Sequence, residues 1–345
     1  MTHGYDSYTV EAVRSQGAFD ITIGMYMNIF ENRLAKPMLI AGESEPFDSE
    51  DYSYELKMDG ERCLAYLDTD MVDLVNRRDR RVLVQFPELG LLHKQVRKRC
   101  ILDGELIVGM GRKEDFEAIK QRSLVTRSST IQRMSMENPC TFVAFDILYC
   151  GERLLTDLSL DERHAILRET VRENQRLNVV RSIHGQGVAF FNAVRKEGLE
   201  GIIAKRRDSR YIMGKRTREW TKIKNWLEAQ FVICGYVPTE KAAVVSLVLG
   251  QYNRDGHLVY KGRTTLGIRR EDFQAVRQAP RSEKHPFNAK PEVPDGTIWI
   301  EPDLVCTVAF MCWTGNLRLR QPNYKGLVIG KPAKQVIEPQ EPIIC

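Results

Sequence analysis

Short apolar runs of strand length, separated by turn residues, fill most of the chain between residues 52 and 150. The clearest of them are YSYELKMD, RCLAYLD, VDLVNR, CILDGELIVG and TFVAFDILY. They alternate apolar with polar residues or are rich in Val, Ile, Phe and Tyr, which is typical of β-strands. We therefore predict that this part of the chain is built on β-sheet.

Helices are predicted between and after these strands. The segment SLDERHAILRETVREN begins with Ser159 and has Glu162 three positions later, which is the pattern of an N-terminal capping box. Its apolar stripe consists of Ile166, Leu167 and Val171. GVAFFNAVRKEGLEG has a similar pattern, and Gly198 is placed to end that helix. Helices mixed with strands predict an α/β (α+β) domain.

The pattern changes after Trp226 to strands and turns alone, as in FVICGYVP, AVVSLVLGQYNRDGHLVYKGR and TIWIEPDLVCTVAFMCW. NRDG between two alternating runs predicts a hairpin. We therefore predict a mixed domain at residues 37–228 and an all-β domain of barrel size at residues 229–345. Residues 1–36 show weak helical patterns without a motif and are predicted to be an arm or a first helix.

Composition agrees with a folded two-domain protein. The chain has 345 residues, of which 43% are hydrophobic. No apolar run reaches the roughly 18 residues of a membrane helix, and the first residues lack the order of a signal peptide, so we expect a cytoplasmic protein without a membrane partner. The eight cysteines form no C-x-x-C pair, which favours reduced thiols over disulfides or zinc.

Basic residues cluster in two places. KRRDSRYIMGKRTREWTKIK, residues 205–224, carries nine Lys or Arg against two acids, and HKQVRKR, residues 93–99, is a second cluster. Either can be a solvated surface. In the first cluster, however, Tyr211 and Trp220 are interleaved with the charges, and a phosphate-rich partner would explain both features.

One predicted strand carries an unusual number of charges. In an extended YELKMD the side chains alternate, so Glu55, Lys57 and Asp59 face one side while Tyr54, Leu56 and Met58 face the other. Charges are placed in the same way in LDGEL (Asp103, Glu105) and in WTKIK (Lys222 and Lys224, with Trp220), and EGIIAK adds Glu200 and Lys205. Glu200 and Lys205 would face opposite ways in a regular strand, so a shared ligand requires an irregular one.

In this order the stretches resemble the nucleotidyltransferase motifs of ATP-dependent DNA ligases. KMDGER is similar to K-x-D-G-x-R, NRRDR stands in the place of S-R-N-G, and ILDGEL, FVAFDILY, EGIIAK and WTKIK are similar to the later motifs. The resemblance covers residues 36–331 and is greatest to the ligase domain of bacterial end-joining ligases. It implies a nucleotidyltransferase adenylation domain followed by an OB-fold barrel that binds nucleic acid.

The resemblance also implies roles for individual residues. It makes Lys57 the residue that is joined to AMP, with Lys222 and Lys224 as catalytic and phosphate-binding lysines. It implies ATP or AMP contacts for a further set: Glu55 and Phe145 at adenine, Arg62 and Arg77 at ribose or a 5′-phosphate, and Glu105, Glu200 and Lys205. Glu105 and Glu200 are the implied ligands of Mg²⁺ or Mn²⁺.

The chemistry explains why such residues occur together. A free lysine is mostly protonated at neutral pH and is then not nucleophilic. Neighbouring cations such as Lys205, Lys222, Lys224 and Mg²⁺ disfavour the ammonium form of Lys57, and the same charges neutralise the phosphates and assist departure of pyrophosphate.

The C-terminal motif departs from the family. Relatives read R-x-P-x-F-x-G-x-R-x-D-K, whereas this chain reads RQPNYKGLVIGKP. Val328 stands where the arginine belongs and Gly330 where the aspartate belongs. In the family this segment orients the leaving pyrophosphate, so we expect slow self-adenylylation unless Arg320, Lys325 or Lys331 compensates.

The resemblance implies an ATP-dependent DNA ligase of the bacterial nucleoid that seals nicks or breaks in duplex DNA during repair or end joining, with a Ku-like end-binding protein as a candidate partner. An RNA ligase or GTP-using capping enzyme shares the lysine motif, and a non-enzymatic DNA-binding module would need only the basic patches. Two other nucleotide motifs fail, since MGKRT lacks the first glycine of a P-loop and GMGRKE lacks the third Rossmann glycine.

Overall fold

The chain forms two compact units that divide between Lys224 and Asn225. The computed structural model describes residues 29–109, 116–238, 245–340 and 342; most of the predicted N-terminal arm lies outside them. The predicted boundary after residue 228 lies inside the first strand of the second unit (Leu227–Val237). None of the helices in the described ranges has the length and apolar character needed to span a membrane.

The described part of the first unit contains eleven strands, three 3₁₀ helices and the α-helices given below. The strands are β1 (Leu39–Glu43), β2 (Tyr52–Leu56), β3 (Glu61–Asp68), β4 (Met71–Asn76), β5 (Cys100–Val108), β6 (Cys140–Cys150), β7 (Arg153–Leu154), β8 (Leu177–Val179), β9 (Ser182–His184), β10 (Gly201–Arg206) and β11 (Arg216–Lys224). The helices are α1 (Phe116–Leu124), α2 (Ser128–Glu137), α3 (Leu160–Thr170) and α4 (Gly187–Lys196).

These strands form two sheets, ordered β1-β11-β10-β2-β9 and β4-β3-β5-β6-β7, with β8 paired to β6. A central apolar cluster takes residues from both sheets, among them Leu64, Tyr149 and Trp220. A second cluster lies on the far side of the β3–β6 sheet, and a third packs Phe191 and Val194 of α4 against β2, β10 and β11. The mixed α/β prediction for this unit is confirmed.

The predicted helix boundaries are confirmed at two places. The Ser159 hydroxyl accepts from the Glu162 amide while the Glu162 carboxylate accepts from the Ser159 amide, so the capping box that opens α3 is complete. Gly198 follows α4 with a φ of +69°, a left-handed conformation that glycine adopts without the steric penalty of a side chain.

The burial of Tyr211 and Trp220 gives no support to a phosphate-rich partner as the explanation of these two aromatic residues. Both side chains belong to the central cluster, and they are 3% and 1% exposed. Their rings pack edge to face at 5.9 Å. The surrounding basic residues are therefore not interleaved with exposed aromatic rings.

The second unit is a five-stranded antiparallel sheet in the order β14-β13-β12-β15-β16. Its elements are β12 (Leu227–Val237), β13 (Ser246–Tyr252), β14 (Leu258–Thr264), α5 (Arg270–Gln278), β15 (Ile298–Phe310) and β16 (Asn323–Val328). A bridge between Leu266 and Asn323 links the end of β14 to β16, so the sheet curls towards closure. The NRDG hairpin forms as predicted, with the Asn253 side chain accepting from the His257 amide.

Two backbone hydrogen bonds and one ion pair hold the last described residues against this unit. The Tyr252 amide donates to Val336, and the Glu338 amide donates to Tyr252. The Glu338 carboxylate lies 2.7 Å from Nζ of Lys261, which is almost fully buried on β14.

The thiol prediction holds for six of the eight cysteines. Cys63, Cys100, Cys140, Cys150, Cys234 and Cys306 are free. Burial raises the pKa of the Cys140 and Cys306 thiols, which makes them unreactive. Cys312 is disulfide-bonded, contrary to expectation. Cys345 lies outside the described residues.

Candidate active site

The charged stretches meet where β2, β10 and β11 lie side by side. Ile203 of β10 is directly opposite Glu55 of β2 and Lys222 of β11, so the side chains of this row share one face. Lys57 follows β2 directly, and its amide donates to Gly201 at 2.9 Å. The strand register therefore places Glu55, Lys57, Lys222 and Lys224 on one side of the sheet.

The predicted alternation fails at Met58. Tyr54 and Leu56 pack in the outer cluster with α4, as expected, but Met58 packs against the central cluster on the opposite face. The reason is that β2 ends at Leu56, so residues after Lys57 no longer follow the two-residue period.

Lys57 forms an ion pair with Glu200. Their Nζ and Oε1 atoms are 2.7 Å apart, and the Lys57 side chain is 19% exposed. Glu200 precedes β10, and Gly201 has a φ of +138°. A side chain at position 201 would meet the Ile223 carbonyl at 2.2 Å. This irregular backbone brings Glu200 to the same side as Lys57, which the regular period forbids.

Two further lysines surround this pair. The pKa of Lys222 is lowered by partial burial and by the charges of Lys224, Lys57 and Arg216. Nζ of Lys224 lies 3.4 Å from Oε2 of Glu43. The described part of the site is thus a cationic cluster whose charges disfavour one another, as we expect where phosphates bind.

Lys205 lies deeper than the sequence suggested. Its Nζ is 2.6 Å from Oε2 of Glu55, and both side chains are almost completely buried. The same ammonium group lies 4.6 Å from the ring centroid of Phe145 and 4.3 Å from that of Trp220. The Oε1 atom of Glu55 has no hydrogen-bond partner among the described residues.

Phe145 occupies a β-bulge. Asp146 pairs with Asp103 and Ala144 with Gly104, so Phe145 is an extra residue without a partner in β5. Its carbonyl instead accepts from Nε2 of His164 at 3.0 Å and from Nζ of Lys205 at 3.2 Å. The ring is 8% exposed, so it also belongs to the core.

Arg62 is held in place by a carboxylate beneath it. Its guanidinium donates to both oxygens of Asp103, and the Tyr211 hydroxyl donates to the same carboxylate. Burial lowers the pKa of Arg62, but the charge and hydrogen bonds of Asp103 raise it overall. Glu105 is opposite Arg62 in the sheet and shares its face.

Arg77 lies on an exposed turn after β4, together with Arg78 and Arg80. The Asn76 side chain accepts from the amides of Arg78 and Arg80, which fixes the turn. Asp79 has a φ of +58° at the position where the family motif has glycine. Aspartate tolerates this left-handed conformation, so the altered motif keeps the turn.

Two motif glycines serve packing. A Cβ on Gly60 would lie 2.1 Å from the Leu106 carbonyl, and one on Gly104 would lie 2.5 Å from the Phe142 ring and the Val143 carbonyl. Neither position accepts a side chain without movement of the backbone.

The metal prediction depends on two carboxylates. Mg²⁺ commonly binds through one or two carboxylates together with substrate phosphates and waters, and the donors Glu105 and Glu200 fit that chemistry. Among the described residues there is no cluster of three or more His, Cys, Asp or Glu side chains able to hold a metal ion. The assignment of these two residues stays a prediction.

The remaining predicted residues, Arg320, Lys325 and Lys331, belong to the second unit. Lys325 is exposed on β16, and Lys331 lines a cavity of about 350 Å³ beside Leu227 and Gln335. Val328 ends β16 and packs against an apolar cluster, while Gly330 is exposed.

Two buried residues near the site, Arg163 and His164, are not indicated by any sequence motif. Both lie on the buried face of α3, where Arg163 forms a bidentate pair with Asp146 and His164 contacts Phe145. Both residues lie three or four positions from Leu160 and Leu167, so they share the apolar face of the helix. This spacing could have indicated that they are buried, but polar residues are not usually expected on such a face.

Comparison with known proteins identifies the family of the chain. A family described as the ATP dependent DNA ligase domain matches residues 33–224, and one described as the ATP dependent DNA ligase C terminal region matches residues 240–328. The chain is 31% identical over 319 residues to the multifunctional non-homologous end joining DNA repair protein LigD of Mycobacterium tuberculosis, covering 90% of this chain and 40% of that protein. It therefore spans about two fifths of the length of that relative.

Two further comparisons involve proteins of similar length. DNA ligase C1 of Mycolicibacterium smegmatis is 30% identical over 302 residues, covering 81% of this chain and 84% of that protein. A solved structure of a Lig E DNA ligase, 17% identical, has a TM-score of 0.58 and covers 85% of this chain and 99% of that chain. The expected fold, an adenylation domain followed by an OB-fold barrel, is confirmed.

Proposed function

The chain belongs to the ATP-dependent DNA ligase family, and on that premise we propose that it joins the ends of nicked or broken duplex DNA through a covalent lysyl-AMP intermediate. The observation that carries the proposal is the arrangement around Lys57, a partly exposed amine beside Glu200 and the lysines Lys222 and Lys224. ATP is the nucleotide substrate.

In the first step, Nζ of Lys57 attacks the α-phosphorus of ATP. The new P–N bond replaces the bond from that phosphorus to the bridging oxygen of pyrophosphate, and the amine loses a proton. Lys222 and Lys224 contact the phosphates and stabilise the negative charge that moves onto the leaving group. Glu55 and Phe145 contact the adenine, where the buried Oε1 of Glu55 offers an acceptor to the exocyclic amine.

Glu105 and Glu200 would hold Mg²⁺ or Mn²⁺. Such an ion, when bound, polarises a phosphoryl oxygen and neutralises its charge. Oε1 of Glu200 also pairs with Nζ of Lys57, so this carboxylate lies next to the attacking amine.

The second and third steps use the DNA. An oxygen of the 5′-phosphate attacks the phosphorus of lysyl-AMP, the P–N bond breaks, and Lys57 regains a proton. The 3′-hydroxyl then attacks the 5′-phosphorus, loses its proton and displaces AMP, which closes the phosphodiester bond. Arg62 and Arg77 contact the ribose or the 5′-phosphate.

We place this activity in DNA repair or end joining, at the nucleoid in the bacterial cytoplasm, with a Ku-like end-binding protein as a candidate partner. Support comes from the LigD relative, whose name states a function in non-homologous end joining DNA repair. Because the chain spans only part of that relative, its own pathway is a separate question for experiment.

The discriminating experiment uses radiolabelled ATP and Mg²⁺, followed by nicked duplex substrates. Covalent AMP on the wild-type protein that is discharged by nicked DNA, with closure of the nick, supports the proposal. A preference for GTP or for RNA nicks would favour the capping-enzyme or RNA-ligase alternative. DNA binding without any covalent AMP would favour a non-enzymatic binding module.

A further inference from the structure

His164 lies in the interior of the first unit, on α3, and is 4% exposed. Its Nε2 atom is 3.0 Å from the Phe145 carbonyl and 3.6 Å from Oε1 of Glu55. A carbonyl oxygen can only accept a hydrogen bond. The Nε2 atom of His164 therefore carries a hydrogen and donates a hydrogen bond to the Phe145 carbonyl. His164 thus contacts two residues of the candidate nucleotide site, Phe145 and Glu55, from the buried interior of the unit.

The β-bulge explains why this donor is needed. Phe145 has no partner in β5, so its buried carbonyl is outside the sheet hydrogen bonds. A buried carbonyl without a donor is costly, and here it receives two donors, His164 and Lys205. The direction of this carbonyl fixes the local backbone and with it the direction of the Phe145 ring.

Attachment of α3 to the sheet does not depend on His164. The neighbouring Arg163 forms a bidentate ion pair with Asp146, in which both side chains are fully buried, and also donates to the carbonyls of Leu158 and Ser209. Arg163 therefore holds the helix, whereas the polar contacts of His164 are directed to Phe145 and Glu55.

We propose that His164 is a positioning residue for the nucleobase of the nucleotide substrate, because it fixes the Phe145 ring and the Glu55 carboxylate in one mutual arrangement. The inference rests on the proposed function only in taking Phe145 and Glu55 as the nucleobase contacts. It assigns to this chain a determinant of nucleotide affinity that touches neither the nucleotide nor Lys57.

The chain offers a graded set of variants. His164→Gln carries its amide nitrogen at about the reach of Nε2 and restores the donor, whereas His164→Asn places its amide nearer the position of Nδ1 and does not. Thr170→Val is the matched control, since Thr170 is buried on the same helix but contacts Cys150, away from the site.

Two measurements separate binding from chemistry. Equilibrium binding of ATP is measured in a Lys57→Ala background, where no covalent product forms, and KM and kcat of self-adenylylation are measured with Lys57 present. We expect His164→Asn to weaken ATP binding and raise KM about tenfold, with a smaller change in kcat. We expect His164→Gln and Thr170→Val to stay within about twofold of the parent protein.

The inference is overturned if His164→Asn and His164→Gln bind ATP equally well, or if Thr170→Val weakens binding as much as His164→Asn. A loss confined to kcat also contradicts it. The proposed function fails separately, if wild-type protein binds ATP with this dependence on His164 but never forms covalent AMP.

Discussion

Nζ of Lys57 lies 2.7 Å from Oε1 of Glu200. The amine expected to attack ATP is therefore ion-paired with a carboxylate that is also a predicted metal ligand. Lys222 and Lys224 lie on the same side of the sheet. A change at Glu200 therefore acts directly next to the nucleophile.

Replacement of Lys57 tests the nucleophile itself. Lys57→Ala should abolish covalent AMP while leaving the fold intact, because the side chain is partly exposed and packs against no core cluster. Lys57→Arg should fail equally, since a guanidinium stays protonated at neutral pH. Intact-mass spectrometry after incubation with ATP and Mg²⁺ provides the measurement. AMP on either variant would contradict the assignment.

Replacement of Glu200 tests its two contacts. Glu200→Gln keeps the shape but removes the negative charge, and we expect slower adenylylation, on the order of 100-fold, together with a higher Mg²⁺ concentration at half-maximal rate. Glu43→Gln is the control, because Glu43 contacts Lys224 rather than Lys57. An unchanged Mg²⁺ requirement in Glu200→Gln would remove Glu200 from the set of metal ligands.

The sequence predicted the strands better than the directions of their side chains. Alternation correctly separated Glu55 and Lys57 from Tyr54 and Leu56, because the two-residue period holds within β2. It failed at Met58, where the strand has ended. The period also holds for Trp220, which shares a face with Lys222 and Lys224. Its burial was not predictable, because no local signal separates an aromatic ring facing the second sheet from one facing solvent.

No local sequence pattern predicts the β-bulge at Phe145. A bulge is a mismatch between two strands, with two residues on one opposite one on the other, so it depends on the partner strand. His164 was not predicted for a related reason. Its burial on an apolar face depends on a hydrogen-bond partner, the Phe145 carbonyl, which lies on another element of the fold. The roles of the site residues stay predictions until they are measured.

Protonation of His164 should make stability depend on pH. Burial lowers the pKa of His164 below its ordinary 6.5, with Lys205 acting in the same direction and Glu55, Asp146 and the Phe145 carbonyl opposing it. Below that pH the unfolded chain binds a proton that the folded imidazole resists, so the stabilisation present above about pH 6.5 is lost as pH falls.

Chemical unfolding of wild type and His164→Gln measures this loss. The wild-type advantage in free energy of unfolding should shrink between about pH 7.5 and about pH 5, because the variant has no group that titrates at this position. The result that contradicts the expectation is a constant difference, or one that widens as pH falls.

The exposed arginine turn should contribute to DNA affinity through phosphate contacts. Arg78→Ala combined with Arg80→Ala should weaken binding to nicked duplexes regardless of sequence, and should reduce the slope of log K against log salt by about 0.9 for each lost contact. Arg133→Ala, an exposed arginine of α2 paired with Glu137, is the control. An unchanged salt slope, or sequence-dependent loss of binding, would exclude the turn from the phosphate-binding surface.

The altered C-terminal motif should make lysine adenylylation the slow step of multiple turnover. Loss of one preorganised donor to a leaving group commonly costs on the order of 100-fold in rate. Val328→Arg with Gly330→Asp should therefore accelerate AMP attachment but leave sealing of a pre-adenylylated nick unchanged. Gly330 has a φ of +77°, which aspartate tolerates at a modest cost, and no atom lies within 4 Å of its built Cβ.

Ile329→Asp, at a 97% exposed position between the two, controls for added charge alone. If the double variant adenylylates no faster, or if sealing is the slower step in the wild type, Arg320, Lys325 or Lys331 already assists pyrophosphate.

Gly60 and Gly104 limit how far a chain of this fold can diverge. Both glycines belong to sequence motifs that are associated with catalysis. Each is required for packing, because a backbone or ring atom lies within 2.5 Å of the position that a Cβ atom would occupy. A descendant that lost Lys57, and all enzymatic activity with it, would still need both glycines to bring β3, β5 and β6 together. In a distant homologue these two glycines would therefore indicate a shared fold and common ancestry. Only the lysine would indicate that the ancestral reaction is retained.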